Sequence, residues 1–123
     1  NLNKPFIYVR PEPKAYGTNK QIEGVIMENV PVVVIEDLIS TGKSSLNAVE
    51  ALKENGIDTL GVFSIFNYEL EVSKINFEKA NQKFYSLSDF STLVECSKKF
   101  MGFSKGDLYK LNEWKKNPYN WKI

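Results

Sequence analysis

Apolar runs alternate with polar turns along the chain, and one strand–turn–helix pattern organises the rest. Four consecutive β-branched residues at 32–35 are typical of a strand that is buried on both faces. Two adjacent carboxylates, Glu36 and Asp37, end this strand, and small hydroxyl and glycine residues follow at 40–45. Apolar residues then recur at helical spacing from Leu46 onward, which predicts a helix.

Shorter patterns on both sides of this stretch predict further elements. The predicted strands cover residues 6–9, 22–27, 59–66 and 83–86. Four helices are predicted. The first stops at Asn55 and Gly56, the second covers 71–80, and the third carries the apolar stripe Phe90, Leu93, Val94 and Met101. The last runs from a capping box at Ser104 and Asp107 to Asn117 and Pro118, with Leu108, Leu111 and Trp114 on one face. Strand, helix and strand in this order imply parallel pairing, so the fold class is α/β, a parallel sheet flanked by helices.

The turn after the central strand has the composition of a phosphate-binding site. A helix N-terminus presents unpaired backbone N–H groups and a partial positive charge. Gly42 lets the backbone approach a ligand, and hydroxyl donors are added by Ser40, Thr41, Ser44 and Ser45. The preceding carboxylates can accept hydrogen bonds from sugar hydroxyls or hold a metal through water. A capped helix without a ligand, after a strand end with exposed acids, fits the same pattern.

The residues Gly42, Lys43 and Ser44 also match the end of a nucleotide-binding P-loop. That loop requires a glycine five residues before Gly42, and Asp37 stands there. Because a carboxylate in this position repels phosphate, nucleotide hydrolysis is the least favoured alternative.

Composition narrows the chemistry further. The chain has 123 residues, enough for one domain, and its net charge of +1 gives no argument for a nucleic acid or an anionic membrane as partner. No apolar run approaches the ~20 residues of a membrane-spanning helix. The absence of histidine excludes a Ser–His–Asp triad, and the single Cys96, expected to be a small packing residue, excludes an internal disulfide.

Residues 33–42 resemble the signature with which type I phosphoribosyltransferases bind phosphoribosyl pyrophosphate (PRPP): an apolar strand, two acids, two apolar residues and a Thr/Ser-Gly turn. Further stretches are similar to the orotate phosphoribosyltransferase family. They are 8–10 with Lys14 and Gly17, 21–24, 64–71, and the late strand-to-helix junction at 85–90. The resemblance covers nearly the whole chain.

This resemblance implies a type I phosphoribosyltransferase-like fold and a set of site residues. Segment 32–45 would bind PRPP, and loop 10–21 would close over the active site of the neighbouring subunit. Catalytic roles are implied for Lys14, Glu36 and Asp37, and an orotate contact for Ser40. The residues implied to bind PRPP are Arg10, Lys14, Tyr16, Glu36, Asp37, Leu38, Ile39, Ser40, Thr41, Gly42, Lys43 and Ser44. Mg²⁺ would be held mainly by the pyrophosphate group of PRPP, with few protein ligands.

The implied activity is transfer of the phosphoribosyl group of PRPP to orotate, which gives orotidine 5′-monophosphate and pyrophosphate in pyrimidine biosynthesis. The implied partners are PRPP, orotate and a second subunit in a homodimer with shared active sites, without nucleic acid or membrane, and the implied location is the cytoplasm. Two alternatives stay open: a regulatory module that binds PRPP without transferring it, and a transferase for another base.

Three positions depart from the family pattern. Pro11 stands where many members have a second lysine, Tyr16 where many have histidine, and Tyr68 nearest to an arginine that contributes to orotate binding in some members.

The chain also enters strand 6–9 almost at once, whereas the hood and first sheet strands of the family precede it. We therefore expect residues 1–123 to be a single, partial domain, the carboxyl-terminal portion of a longer enzyme, with its carboxyl-terminal helices at 88–116.

Overall fold

The computed structural model, which describes residues 3–11 and 21–121, consists of a small hairpin followed by a three-stranded parallel sheet with helices. Its elements are β1 (Ile7–Val9), β2 (Ile22–Gly24), β3 (Val32–Ile39), α1 (Lys43–Glu54), β4 (Thr59–Asn67), α2 (Glu71–Lys79), β5 (Phe84–Asp89), α3 (Phe90–Phe100), α4 (Lys105–Lys116) and a 3₁₀ turn (Pro118–Asn120). Strands β1 and β2 pair antiparallel, and the order β3-β4-β5 is parallel throughout. The predicted α/β class and parallel pairing are confirmed.

One face of the parallel sheet forms the core with α1 and α2. Val34, Val62 and Phe84 lie beside one another on this face by strand register. They pack with Leu46 and Val49 of α1 and with the buried Phe77 of α2. Since these side chains recur at helical spacing on α1 and at alternate positions on the strands, the sequence pattern accounts for this half of the fold.

The opposite face of the same sheet is exposed, so the prediction that β3 is buried on both faces is wrong for the part of the chain that the structure describes. Ile35, Phe63 and Tyr85 are neighbours on this face. Ile35 is 69% exposed, and Leu87 on β5 is 87% exposed. The cause is one-sided packing, because the core contacts of α1 and α2 are made with the other face.

Element boundaries also differ from the predictions. The carboxylates do not end β3, because Glu36 still pairs with Ser64 and Leu38 with Phe66 in the parallel register. Strand β2 stops at Gly24, earlier than predicted, and β5 continues to Asp89, later than predicted. In β3 and β5, backbone pairing with the neighbouring strand therefore overrides the local polarity of these residues.

The helix termini follow the predicted signals more closely. Helix α1 ends at Glu54 with Asn55 as its C-cap, and Gly56 adopts a positive φ of 72° directly after this cap. The capping box of α4 is present, with the side chains of Ser104 and Asp107 each bonded to the backbone of the other residue.

Two smaller predictions on α3 are corrected. Cys96 is exposed and is not a packing residue, and within the predicted apolar stripe Phe90 is buried whereas Leu93 and Met101 are exposed. Among the residues that the structure describes, no helix has the length and apolar character needed to cross a membrane.

Candidate functional site

The carboxyl ends of β3 and β4 lie side by side and carry the predicted site. Ile39 is paired with Asn67, and the N–H of Tyr68 donates to the carbonyl oxygen of Ile39 over 3.0 Å. The turn from β3 to α1 (residues 40–42, the β3–α1 turn) therefore lies next to the turn from β4 to α2 (residues 68–70, the β4–α2 turn). Ligands of open parallel sheets bind at such an edge.

Glu36 is fixed in front of the β3–α1 turn by two hydroxyl groups. Its Oε1 atom accepts hydrogen bonds from Ser44 Oγ at 3.0 Å and from Ser45 Oγ at 2.9 Å. Ser45 is fully buried, so its hydroxyl supports the carboxylate and is not the ligand donor that we expected. Asp37 is exposed, as alternation along a strand dictates for the neighbour of an inward-facing residue. One acid is thus anchored and the other faces solvent.

Gly42 is the N-cap of α1 and cannot be replaced without strain. Its φ is +77°, in the left-handed region that glycine tolerates best. A Cβ atom added here would lie 2.5 Å from Cε2 of Phe77, well inside contact distance. The turn therefore needs glycine both for its backbone angle and for the close approach of α2.

Backbone donors at the start of α1 are available to an anion. The first intrahelical bond runs from Leu46 N–H to the carbonyl of Gly42 at 3.0 Å, so the N–H group of the exposed Ser44 has no acceptor within the helix. Lys43 N–H makes a long bond of 3.4 Å to Thr41 Oγ1, and its side chain is exposed. Together with the helix dipole, this geometry favours a phosphate group.

The other predicted PRPP contacts lie in different environments. Ser40 is exposed and Leu38 is 39% exposed, whereas the side chain of Ile39 is buried in the core and leaves only its main chain near the site. Arg10 lies on the hairpin, where its guanidinium pairs with Glu23 at 2.8 Å. Lys14 and Tyr16 fall outside the described residues, as does most of the predicted catalytic loop.

The β4–α2 turn is held by aromatic packing and by charge. Tyr68 packs edge-on against Phe66 and Trp114, with ring centroids 5.4 and 5.3 Å apart. The carboxylate of Glu69 accepts from Lys115 Nζ at 2.7 Å and from both the N–H and the hydroxyl of Ser91. Burial raises the pKa of Glu69, but these hydrogen bonds outweigh burial and leave its pKa below the usual value.

Sequence reasoning missed the residues of α2 that contact the β3–α1 turn. Asn76 Nδ2 donates to the carbonyl oxygen of Thr41 at 3.0 Å, across 35 positions of sequence, and Phe77 packs on Gly42. Neither contact has a sequence signal, because an asparagine in a helix gives no indication of a distant carbonyl partner. Lys115 was likewise missed as the partner of Glu69.

The carboxylates could contribute to a magnesium site in a limited way. Within 3–11 and 21–121, no cluster of three or more His, Cys, Asp or Glu side chains is arranged to hold a metal. Glu36 and Asp37 are hard oxygen donors, which suit a Mg²⁺ ion that keeps most of its water and takes other ligands from a phosphate group.

No family model matches the chain, but curated relatives match nearly all of it. It is 48% identical over 118 residues to the orotate phosphoribosyltransferase of Bacillus subtilis (strain 168), an alignment that covers 96% of this chain and 55% of that protein. It is 43% identical over 122 residues to the orotate phosphoribosyltransferase of Cytophaga hutchinsonii, which covers 99% of this chain and 58% of that protein. The chain therefore spans a little over half the length of these relatives.

Solved structures support the same fold. The UMP synthase of Leishmania donovani superposes with a TM-score of 0.75 at 25% identity, covering 92% of this chain and 24% of that one. The orotate phosphoribosyltransferase of Mycobacterium tuberculosis in complex with PRPP superposes with a TM-score of 0.52 at 25% identity, covering 58% of this chain and 42% of that one. The fold is thus that of type I phosphoribosyltransferases, as the resemblance implied.

Proposed function

We propose that this chain forms part of an orotate phosphoribosyltransferase, which transfers the phosphoribosyl group of PRPP to orotate with release of pyrophosphate. One observation carries the proposal: a hydroxyl-anchored carboxylate, Glu36, lies directly in front of the glycine N-cap of α1. A carboxylate that would bind the sugar and N–H donors that would bind its phosphate lie at one sheet edge. The identity to named orotate phosphoribosyltransferases supports the same activity.

The β3–α1 turn would hold the 5′-phosphate of the substrate. The N–H group of the exposed Ser44 and the positive end of the α1 dipole would bind its oxygens, with the exposed side chain of Lys43 nearby. This contact positions the ribose ring in front of the two acids. Ser40, which is exposed at the start of the turn, would contact orotate.

The two carboxylates would act on the sugar. Glu36 and Asp37 would accept hydrogen bonds from the ribose hydroxyls. As the bond from the anomeric carbon to pyrophosphate breaks and the bond to the orotate nitrogen forms, the sugar gains the character of an oxocarbenium ion. The fixed negative charge of Glu36, held by Ser44 and Ser45, would stabilise that developing positive charge without reorganisation.

The leaving pyrophosphate requires positive charge. Magnesium, when bound, would supply part of it through the phosphate oxygens, with Asp37 or Glu36 contacting its water ligands. Lys14 and Arg10 would supply the rest on closure of loop 10–21, which would also exclude water from the reactive cation. Arg10 pairs with Glu23, so its action on pyrophosphate would require exchange of that partner. On the basis of the resemblance alone, we also propose that the protein is a homodimer with shared active sites and that it is located in the cytoplasm.

The activity can be tested on the complete protein with PRPP, Mg²⁺ and a panel of bases. We expect pyrophosphate release and orotidine 5′-monophosphate formation with orotate, and neither with uracil, adenine or hypoxanthine. Binding of PRPP without pyrophosphate release would indicate a regulatory module instead. Pyrophosphate release with one of the other bases only would identify a transferase of different specificity.

A further inference from the structure

Helix α2 bridges the two turns at the carboxyl edge of the sheet. It begins directly after the β4–α2 turn, with Leu70 as its N-cap, and its last turn reaches the β3–α1 turn. The helix therefore has one end at a turn clamped by charged groups and the other at the proposed phosphate site.

The far end of α2 contacts the β3–α1 turn in two ways. Asn76 Nδ2 donates to the Thr41 carbonyl at 3.0 Å, and the buried ring of Phe77 packs against Gly42 so closely that no Cβ would fit. The amide fixes the carbonyl side of the turn and the ring fixes its glycine. Both contacts are made to another element, although Phe77 also packs in the core.

The near end of α2 is fixed by several hydrogen bonds and an ion pair at Glu69. Glu69 has a φ of +53°, in the left-handed region that is unfavourable for a residue with a side chain. Its N–H donates to Asn67 Oδ1 at 2.8 Å, and its carboxylate is bound by Ser91 and by Lys115 of α4. Lys115 and Glu69 are each only 26% exposed, so this ion pair is better shielded than a typical surface pair.

We propose that α2 is a strut that positions the phosphate-binding β3–α1 turn, with Asn76 as the positioning residue and the Glu69–Lys115 pair as the anchor of the strut. The carboxyl-terminal helix α4 thereby influences PRPP binding without contacting the ligand. The kinetic part of this inference rests on the proposed transferase activity, whereas its structural part does not.

The first test compares Asn76→Leu with Asn112→Leu in the complete enzyme. Asn112 makes a bond of the same kind, from Nδ2 to a backbone carbonyl at 3.0 Å, but within α4. We expect Asn76→Leu to raise the KM for PRPP about fivefold, the equivalent of one hydrogen bond, and Asn112→Leu to leave it unchanged. Asn76→Gln, which keeps the amide donor, should restore part of the loss.

This comparison separates positioning from folding. A merely structural role would lower the active fraction, and thus the apparent kcat, while the KM for PRPP stayed at the wild-type value. An unchanged KM in Asn76→Leu, or an equal rise in Asn112→Leu, would overturn the inference.

The second test measures hydrogen–deuterium exchange in a peptide that covers residues 40–46. We expect faster exchange there in Asn76→Leu, by about fivefold, and a smaller increase in Lys115→Met. The matched control is Lys116→Met, because Lys116 pairs with Glu113 on the surface of α4 itself. Wild-type exchange at 40–46 in Lys115→Met would refute the anchoring role of α4.

The two proposals fail in different ways. A wild-type protein that releases no pyrophosphate would count against the proposed function only, because exchange at 40–46 does not depend on turnover. Unaltered exchange in both variants, in an enzyme that does release pyrophosphate, would count against the strut only.

Discussion

The two neighbouring turns at the carboxyl edge of the sheet each carry an acid but satisfy it differently. Glu36, in front of the β3–α1 turn, accepts from the neutral hydroxyls of Ser44 and Ser45 and from no other side chain in the part of the sequence that the structure describes. Glu69, in the β4–α2 turn, is bound by the cation Lys115 and by Ser91. The first acid keeps its negative charge uncompensated by these partners, whereas the second has its charge neutralised within the protein.

Because of this difference, the β3–α1 turn is suited to bind a ligand, whereas the β4–α2 turn is suited to stabilise the fold. An uncompensated carboxylate beside free helix N–H donors can act on a sugar phosphate that brings its own charges. A carboxylate that is already paired gains little from a ligand, but it fixes a backbone in a strained conformation. Substitution of the acid should therefore affect turnover at the first turn and stability at the second.

The largest effect is expected for Gly42→Ala, which would strain the backbone of the β3–α1 turn. The left-handed φ and the 2.5 Å approach to Phe77 together predict a loss of about 2–4 kcal/mol in unfolding free energy and the loss of measurable transfer. Gly56→Ala is the matched control, since Gly56 has a φ of +72° with open space around it. We expect about 1 kcal/mol there with turnover retained, and equal losses in both variants by chemical denaturation would contradict the role of the Phe77 contact.

Asp37→Asn and Glu69→Gln should have opposite effects on kcat and on the unfolding free energy. Because Asp37 is exposed, its replacement should change the unfolding free energy by less than about 0.5 kcal/mol, while kcat falls about 100-fold as charge stabilisation is lost. Glu69→Gln should do the reverse, with a loss of about 0.5–1 kcal/mol and only a severalfold change in kcat. Steady-state kinetics and urea denaturation on both variants test this, and a normal kcat in Asp37→Asn would remove that residue from the site.

Much of the fold could be predicted because local signals and tertiary packing agree. The β-branched run at 32–35, the helical recurrence from Leu46, and the stop at Gly56 all belong to elements that the structure contains. The exposed face of the sheet could not be predicted, because a continuous apolar strand is typical of a sheet covered on both sides. Whether a second layer packs on Ile35 depends on what else is present, not on the residues of β3.

The site divides in the same way. The β3–α1 turn could be found because its acids, hydroxyls and glycine are contiguous in sequence, and contiguity is what a motif records. The roles of Asn76 and Lys115 could not, because each depends on a partner 35 or 46 positions away. The buried state of Ser45 also escaped prediction, since composition does not tell which hydroxyl of a turn supports an acid and which faces a ligand.

The smallest expected effect is a pH dependence of the unfolding free energy that comes from the β4–α2 turn. Because the bonds from Lys115 and Ser91 keep the pKa of Glu69 below its usual value of 4.5 despite burial, its contribution to stability is complete above that value. The contribution is lost as pH falls through the lower pKa of the folded state. The difference in unfolding free energy between wild type and Glu69→Gln should therefore be about 0.5–1 kcal/mol at pH 7 and shrink steadily below pH of about 4.5. Glu50→Gln, at an exposed pair with Lys53 whose atoms are 3.9 Å apart, is the control and should show no comparable difference in urea denaturation at either pH. A difference for Glu69→Gln that persisted unchanged into acid would mean that shape, not charge, holds the β4–α2 turn.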